Sequence, residues 1–334
     1  KSVAFSNAVS TETISNTGAG NAASALQSVS GASIEEGKYA VVRGLGGRYS
    51  NSQLNGANLP TAAAEKNSAQ LDLFPSDLIE NVEVKKTFTP DQPGNFAGGN
   101  VNVNTKEFPS DLILNITKGV SLNTNSSFEN DFLSGPTSGS DFLGFDNGMR
   151  DVPDILSDPN VDIPRTFEAR RDPDKLEKLD EISKSFGNVM IPTTNERNAG
   201  FNNDFSFTLG NQVELFGNPF GFIFSGTYDR SFEFYDDGNN NQFIATDPGA
   251  TGLNADFRFN DVKGTETASL GGMASLNYQL TNNHQIGFTF LRNQKGTHVG
   301  REQVGNFFKN SPSENVFFET FVLEYTERDV NSYQ

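Results

Sequence analysis

Residues 201–234 read FNNDFSFTLGNQVELFGNPFGFIFSGTYDRSFEF, and their period decides the architecture. In the first half Phe201, Phe205, Phe207, Leu209, Val213 and Leu215 share one face, against Asn202, Asp204, Ser206, Thr208, Gln212 and Glu214. In the second half Phe220, Phe222, Phe224, Tyr228, Phe232 and Phe234 oppose Ser225, Thr227, Asp229, Ser231 and Glu233. A period of two is the signature of a strand with one apolar and one polar face. The two halves are joined by a short Gly217-Asn218-Pro219 turn.

The same grammar extends outward. Leu112, Leu114, Ile116, Val120 and Leu122 share a face upstream. Downstream come Leu270, Ala274, Leu276, Tyr278 and Leu280, then Ile286, Phe288 and Phe290, then Phe317, Phe321, Leu323 and Tyr325. These six strands exceed the roughly 5–6 residues usual in soluble sheets and suit the roughly 9–11 residues that cross an outer membrane. Their connections alternate between short turns and long polar stretches at about 125–199, 237–263 and 297–315. Short turns on one side and long loops on the other are the transmembrane-barrel pattern. A soluble β-sandwich shares the period but does not require that alternation.

Residues 1–108 obey another grammar, of small residues and short runs, and are expected to form a compact mixed α/β domain. Asn21 caps a helix in NAASALQSVSGASI (21–34), with Gly31 beyond its end. YAVVRG (39–44) reads as a strand, GGNVNVNTK (98–106) alternates as a strand does with Val101 and Val103 on one face, and Ser76 is expected to cap a helical turn running into a strand at Val82–Val84. VVRGLGGRYS (41–50) imitates a phosphate loop. Tyr49 occupies the position of the third glycine in G-x-G-x-x-G, however, and no helical period follows, so a glycine-rich turn is the better reading.

Composition narrows the function. The chain has 334 residues with a net charge of −17, which disfavours nucleic acid as a partner. It has no cysteine and only two histidines, and no nucleophile–base pair or metal-ligand set emerges, so an enzyme is not expected. Asp236–Asn241 and Phe145–Gly148 resemble fragments of calcium loops without their full spacing; calcium in an extracellular loop is the one cofactor to consider. No signal peptide is visible at Lys1.

Taken in order, Val42-Arg43-Gly44, Leu54-Asn55-Gly56, Pro75 to Glu80, Val82-Glu83-Val84, Phe96-Ala97-Gly98-Gly99 and Val101-Asn102-Val103 resemble the plug domain of TonB-dependent outer-membrane receptors. The resemblance covers about residues 20–108. It implies a mixed α/β plug domain (1–108) followed by antiparallel transmembrane β-barrel strands (109–334), a partial barrel of the ~22-stranded type. It implies active transport across the bacterial outer membrane, driven by a TonB-type energy-transducing protein, with outer-membrane lipid around the barrel. The segment that such a protein grips is not identifiable before residue 20. Six strands cannot enclose a plug of this size, so closing strands are expected beyond the given sequence. The rival reading is a structural subunit of an outer-membrane complex that keeps the fold without transport.

In that family outward-facing plug loops touch the substrate. The matching loops place Lys38, Arg48, Tyr49, Asn51 and Lys66 as substrate-binding candidates. The plug charges Arg43, Glu80, Glu83 and Lys85 are candidates for ion pairs with the barrel wall, whose lumen carboxylates are Asp204, Glu214, Asp229 and Glu233. Arg43 is expected to face the wall. The stretch 125–199 contains a helix capped by Asp172 and Pro173. It is a candidate to fold over the pore or to dock a surface lipoprotein or another complex subunit, or it is a structured loop with no partner.

Overall fold

The computed structural model describes residues 6–61, 65–74, 76, 79–90, 92–106, 109, 111–157, 159–187, 198–245, 251–308 and 316–333. The N-terminal unit contains β1 (Ser6–Ser10), α1 (Thr11–Thr17), α2 (Ala22–Leu26), β2 (Ala32–Glu35), β3 (Tyr39–Val42), β4 (Ser50–Leu54), β5 (Ala57–Asn58), β6 (Ile79–Lys85) and β7 (Gly99–Thr105). Five strands form one sheet in the order β1-β6-β7-β4-β5, and β2 pairs with β3 as a separate hairpin. As expected, Asn21 caps α2, here in a reciprocal capping box with Ser24. Two elements went unread before residue 20. Ser10 caps α1, Gly18 closes it in the left-handed conformation, and β1 pairs with β6. Strand β6 begins at Ile79, earlier than expected; Asp77 and Leu78 of the expected helical turn lie outside the described residues.

The VVRGLGGRYS stretch is a tight reversal. Val42 and Leu45 exchange both backbone hydrogen bonds, at 3.1 Å each. The two residues between them, Arg43 (φ 57) and Gly44 (φ 73), are both left-handed, which is the signature of a type I′ turn. The Gly98-Gly99 pair has a packing reason. A Cβ on Gly98 would lie 2.9 Å from the Val42 carbonyl oxygen, and one on Gly99 would lie 2.7 Å from the Val42 side chain.

The second unit is one antiparallel sheet of β8 (Ile113–Ser121), β9 (Asn202–Leu215), β10 (Asn218–Ile244), β11 (Asn254–Thr281), β12 (His284–Phe307) and β13 (Phe318–Tyr333), neighbours in chain order. The expected apolar face points away from the plug: Leu114, Ile116, Phe207, Phe288 and others are exposed there. The opposite face receives the plug. Ile223, Met273 and Leu291 of the wall join the buried core built by Leu26, Leu54, Leu71, Phe74, Val82 and Val101 of the plug. Burial of this apolar surface is what holds the two units together.

Two expected loops are largely strand. The stretches 237–263 and 297–315 are polar, which is why loops are expected there; 246–250 and 309–315 lie outside the described residues. Yet β10 and β11 pair on to Ile244↔Asn254, across register shifts at Tyr235/Gly238 and Gln242/Phe243, and β12 runs to Phe307. Alternation reports a buried face, and beyond the hydrocarbon neither face of a ladder has to be apolar. The 27 residues of β10, at roughly 3.3 Å each, are far more than the roughly 9–11 that one membrane crossing requires.

The first long loop carries α3 (Asp154–Ser157), α4 (Thr166–Ala169) and α5 (Pro173–Ser185), the last capped by Asp172 as expected. Its described part near residues 126–150 does not cover the pore side. It lies on the outward face of the tall wall. Phe132 packs on Phe232 and Phe234, with ring centroids 5.8 and 5.9 Å away, and the Ser126 hydroxyl donates to the Phe232 carbonyl at 2.7 Å. Gly264, Gly296 and Gly300 clear the sheet for the loop backbone at Leu133 and Gly144.

Candidate functional site

Between plug and wall lies a polar cavity of about 440 Å³. On the plug side, Leu71 and Phe74 are fully buried in the core, and Asp72, in the 3-10 turn between them, turns towards the wall. The Leu71 amide donates to the Lys38 carbonyl, which fixes the end of the β2–β3 hairpin beside that turn. Lys38 and Asp72 pair at 3.8 Å. The wall contributes Asp204 from β9, Asp229 from β10, and the hydroxyls of Thr117, Ser206, Thr227 and Ser269.

Asp72 is under-satisfied. Its Oδ1 is buried with no hydrogen-bond partner among the described residues. Burial raises its pKa above the ordinary carboxylate range; Lys38 works against that rise, Asp229 adds to it, and Lys295 on β12 opposes it. Below the cavity the two units are stitched by a neutral bond. Asn293 Nδ2 donates to Gln70 Oε1 at 3.0 Å, and Gln70 Nε2 donates to the Tyr39 hydroxyl at 3.2 Å.

Described residues of the loops that carry Lys38, Arg48 and Lys66 come close together. Lys66 Nζ lies 2.9 Å from Glu36 and 3.2 Å from Glu35, and 4.2 Å from the Tyr39 ring centroid. Burial works against its charge, but the hydrogen bonds to Glu36 and Glu35 outweigh that and raise its pKa. Asn67 Nδ2 donates to the Arg48 carbonyl at 2.6 Å, which ties the two loops together. Arg48 and Tyr49 themselves are exposed. The result is a surface of two acids clamped by one lysine, next to an exposed arginine and tyrosine.

Several expected positions fall elsewhere. Asn51 is buried in β4, where its amide bonds Asn58 and Asn100, so it holds the sheet together and does not reach solvent. Lys38 belongs to the plug–wall cavity and not to the apical loops. Arg43 is exposed, takes a left-handed φ and makes no ion pair with a described strand of the wall. Glu83 and Lys85 sit two apart on β6 and pair with each other at 3.9 Å. Glu80 is exposed, and its carbonyl accepts from the Thr11 hydroxyl. Of the wall carboxylates, Asp204 and Asp229 line the cavity, whereas Glu214 and Glu233 are exposed away from it.

Sequence reading missed Asp72, Gln70, Asn293 and Lys295. One signal was present for Asp72, an acid enclosed in the apolar run LDLF (71–74). Asp236–Asn241 lie along β10, and Asp146 is taken up by Arg150 at 2.6 Å. Among the described residues no cluster of three or more metal-ligating side chains occurs.

Residues 1–101 match the family described as TonB-dependent receptor plug domain. No curated protein sequence matches the chain. Among solved structures it is similar to a variant of the ferric enterobactin receptor PfeA of Pseudomonas aeruginosa, solved with enterobactin, at 11% identity and a TM-score of 0.35 over 98% of this chain and 46% of that one. It is similar to the outer-membrane transporter YddB of Escherichia coli at 11% identity and a TM-score of 0.39 over 98% and 44%. A third is the siderophore receptor PirA of Pseudomonas aeruginosa, at 12% identity and a TM-score of 0.34 over 92% and 44%. The chain thus spans a little under half the length of these structures, and at such identities the likeness says nothing of cargo.

Proposed function

We propose that this chain, a TonB-dependent receptor plug domain joined to the first strands of a barrel wall in the bacterial outer membrane, serves substrate import, with the plug released from the wall along a polar seam. The observation that carries the proposal is the mixed character of the plug–wall contact. An apolar patch at Ile223, Met273 and Leu291 positions the plug, and beside it a cavity is lined by Lys38, Asp72, Asp204 and Asp229. Charges beside a cavity large enough to admit water exchange partners at low cost, because water can replace what the partner gave up. A seam of that kind lets a pulled plug detach without unfolding the wall.

Pulling is assigned to an inner-membrane, TonB-type partner. The apical Glu35–Glu36–Lys66 clamp, with Arg48 and Tyr49 beside it, is the surface offered to the arriving substrate. The 334 residues contain no cysteine, so a pair introduced here adds no competing thiol within them. In the Gln70→Cys/Asn293→Cys receptor, a reducible thiol-to-thiol linker joins plug to wall. Uptake is expected to stop when the linker is in place and to return on reduction. A structural subunit that keeps the fold without transport would show no linker-dependent uptake on any iron or carbon source, and that result would replace the transport reading.

A further inference from the structure

The outward face of the wall carries a trough remote from the plug. Across β9, β10, β11 and β12 one row of side chains reads Phe207, Gly226, Gly272, Arg292. The two glycines in the middle remove the side chains that would otherwise cover the sheet. The Phe207 ring leans over Gly226, while a Cβ on Gly272 would meet nothing nearer than 4.0 Å. Phe145 of the first long loop closes one side, leaving a cavity of about 500 Å³ lined mostly by apolar atoms. That is within the roughly 300–1,000 Å³ of ligand-holding clefts.

The trough sits where the outward face changes character. The row nearer the short turns is Phe224, Ala274 and Phe290, as hydrocarbon demands. The row on the other side is Tyr228, Leu270 and Gln294, whose polar ends bond the loop: the Tyr228 hydroxyl donates to the Phe142 carbonyl and Gln294 Nε2 to the Gly144 carbonyl, each at 2.8 Å. Beyond it lie the polar groups of Asp141, Asp146 and Arg150, which do not belong in hydrocarbon. The trough therefore lies at the boundary between acyl chains and headgroups. Arg292 is exposed at its mouth with no ion pair among the described residues, on a chain whose net charge is −17.

We propose that this trough holds one acyl chain of a phosphate-bearing membrane lipid, with the phosphate paired to Arg292. The apolar floor and the cation at the headgroup level match the two ends of such a molecule, and the bilayer supplies it at that height. The proposal rests on the membrane placement of the wall and is independent of transport.

The test uses the receptor purified from outer membranes, delipidated in detergent and titrated with phosphatidylglycerol, phosphatidylcholine or inorganic phosphate, with bound molecules counted by native mass spectrometry. The wild type is expected to retain one phosphatidylglycerol more than Gly272→Leu, whose side chain fills the open floor. Arg292→Gln is expected to weaken phosphatidylglycerol binding about tenfold or more, and Arg292→Lys to restore most of it. Heat-modified gel mobility verifies that each variant is folded. Equal lipid counts in wild type and folded Gly272→Leu, an unchanged affinity in Arg292→Gln, or saturation by inorganic phosphate alone would each overturn the proposal.

Discussion

Gln70 of the plug and Asn293 of the wall, 223 residues apart in sequence, share a buried hydrogen bond of 3.0 Å. Each side chain is only 3% exposed. A buried amide that loses its partner keeps its desolvation cost and gets nothing back, so Asn293→Ala should weaken plug docking by roughly 1–3 kcal/mol. The measurement is the rate of plug cleavage by a protease that does not cut the folded wall. Replacing both residues by Leu, with Tyr39→Phe so that the hydroxyl bonded by Gln70 is not stranded, removes donors and acceptors together and should cost less than Asn293→Ala alone; a larger cost would mean that the bond is not what holds this part of the seam.

Asp72 gives the seam a pH dependence of known sign. Its pKa in the docked plug lies above the ordinary value near 3.8, chiefly through burial. The docked state therefore binds the proton more tightly than the released state does. Docking is strongest below the ordinary value and weakens as pH rises from there through the raised one. Plug protection should fall across that window in the wild type. Asp72→Asn, which carries no charge to desolvate, should flatten the profile and protect the plug better at neutral pH. An equally steep profile in Asp72→Asn would place the titrating group elsewhere.

How far sequence alone reached follows from what forces each residue. The outward positions of β8 to β12 were legible because hydrocarbon tolerates only apolar side chains there, which imprints a period of two. Asp204 and Asp229 followed as their lumen-facing opposites. The far ends of β10 and β11 were illegible because water on both faces imprints nothing: Asn239, Asn240 and Asn241 sit in a paired strand and read as loop. Asp72 was hidden because its direction is set by Leu71 and Phe74, which anchor in a core assembled from distant strands. At Arg43 it was the conformation that stayed hidden. The glycines announced a reversal, but the arginine itself takes one of the two left-handed positions.

That conformation at Arg43 makes a stability prediction of its own. A left-handed φ costs a residue with a Cβ about 1–2 kcal/mol, and the first central position of a type I′ turn favours Asn or Gly. The exposed side chain has no described ion pair to offset the cost. Arg43→Asn should therefore stabilise the plug, by up to about 1 kcal/mol, without altering its docking to the wall. Chemical denaturation of the isolated receptor, followed by a plug-specific probe, measures this. A destabilised Arg43→Asn would show that the arginine side chain contributes a contact worth more than the strain.

The loop that braces the tall wall offers the sharpest steric test. Leu133 crosses Gly264 so closely that a Cβ there would fall 2.1 Å from the Leu133 carbonyl oxygen. Phe132 next to it fills the space between Phe232 and Phe234. Further along, Arg150 binds Asp141 at 2.7 Å and Asp146 at 2.6 Å and lies over the Tyr325 ring at 4.0 Å, while Glu327 accepts from the Asp146 amide at 2.8 Å. Arg150 holds the Asp141 carboxyl below its usual range; burial alone would push it the other way, and the hydrogen bonds of Arg150 and Ser138 prevail. Gly264→Val should lift the loop where it crosses, and Phe132→Ala should loosen it by roughly 3–5 kcal/mol of lost packing. Both should open residues 126–150 to amide exchange and leave exchange in the plug sheet as it was. For Asp141 the depressed pKa sets the sign: the brace is intact above the ordinary carboxylate range and weakens as pH falls through the lowered value. Protection factors, which correct for the slower intrinsic exchange at low pH, should fall in this segment on acidification, opposite in direction to the plug seam at Asp72, so one pH series on one protein separates the two devices. Parallel responses of loop and plug would mean that they move as a single body.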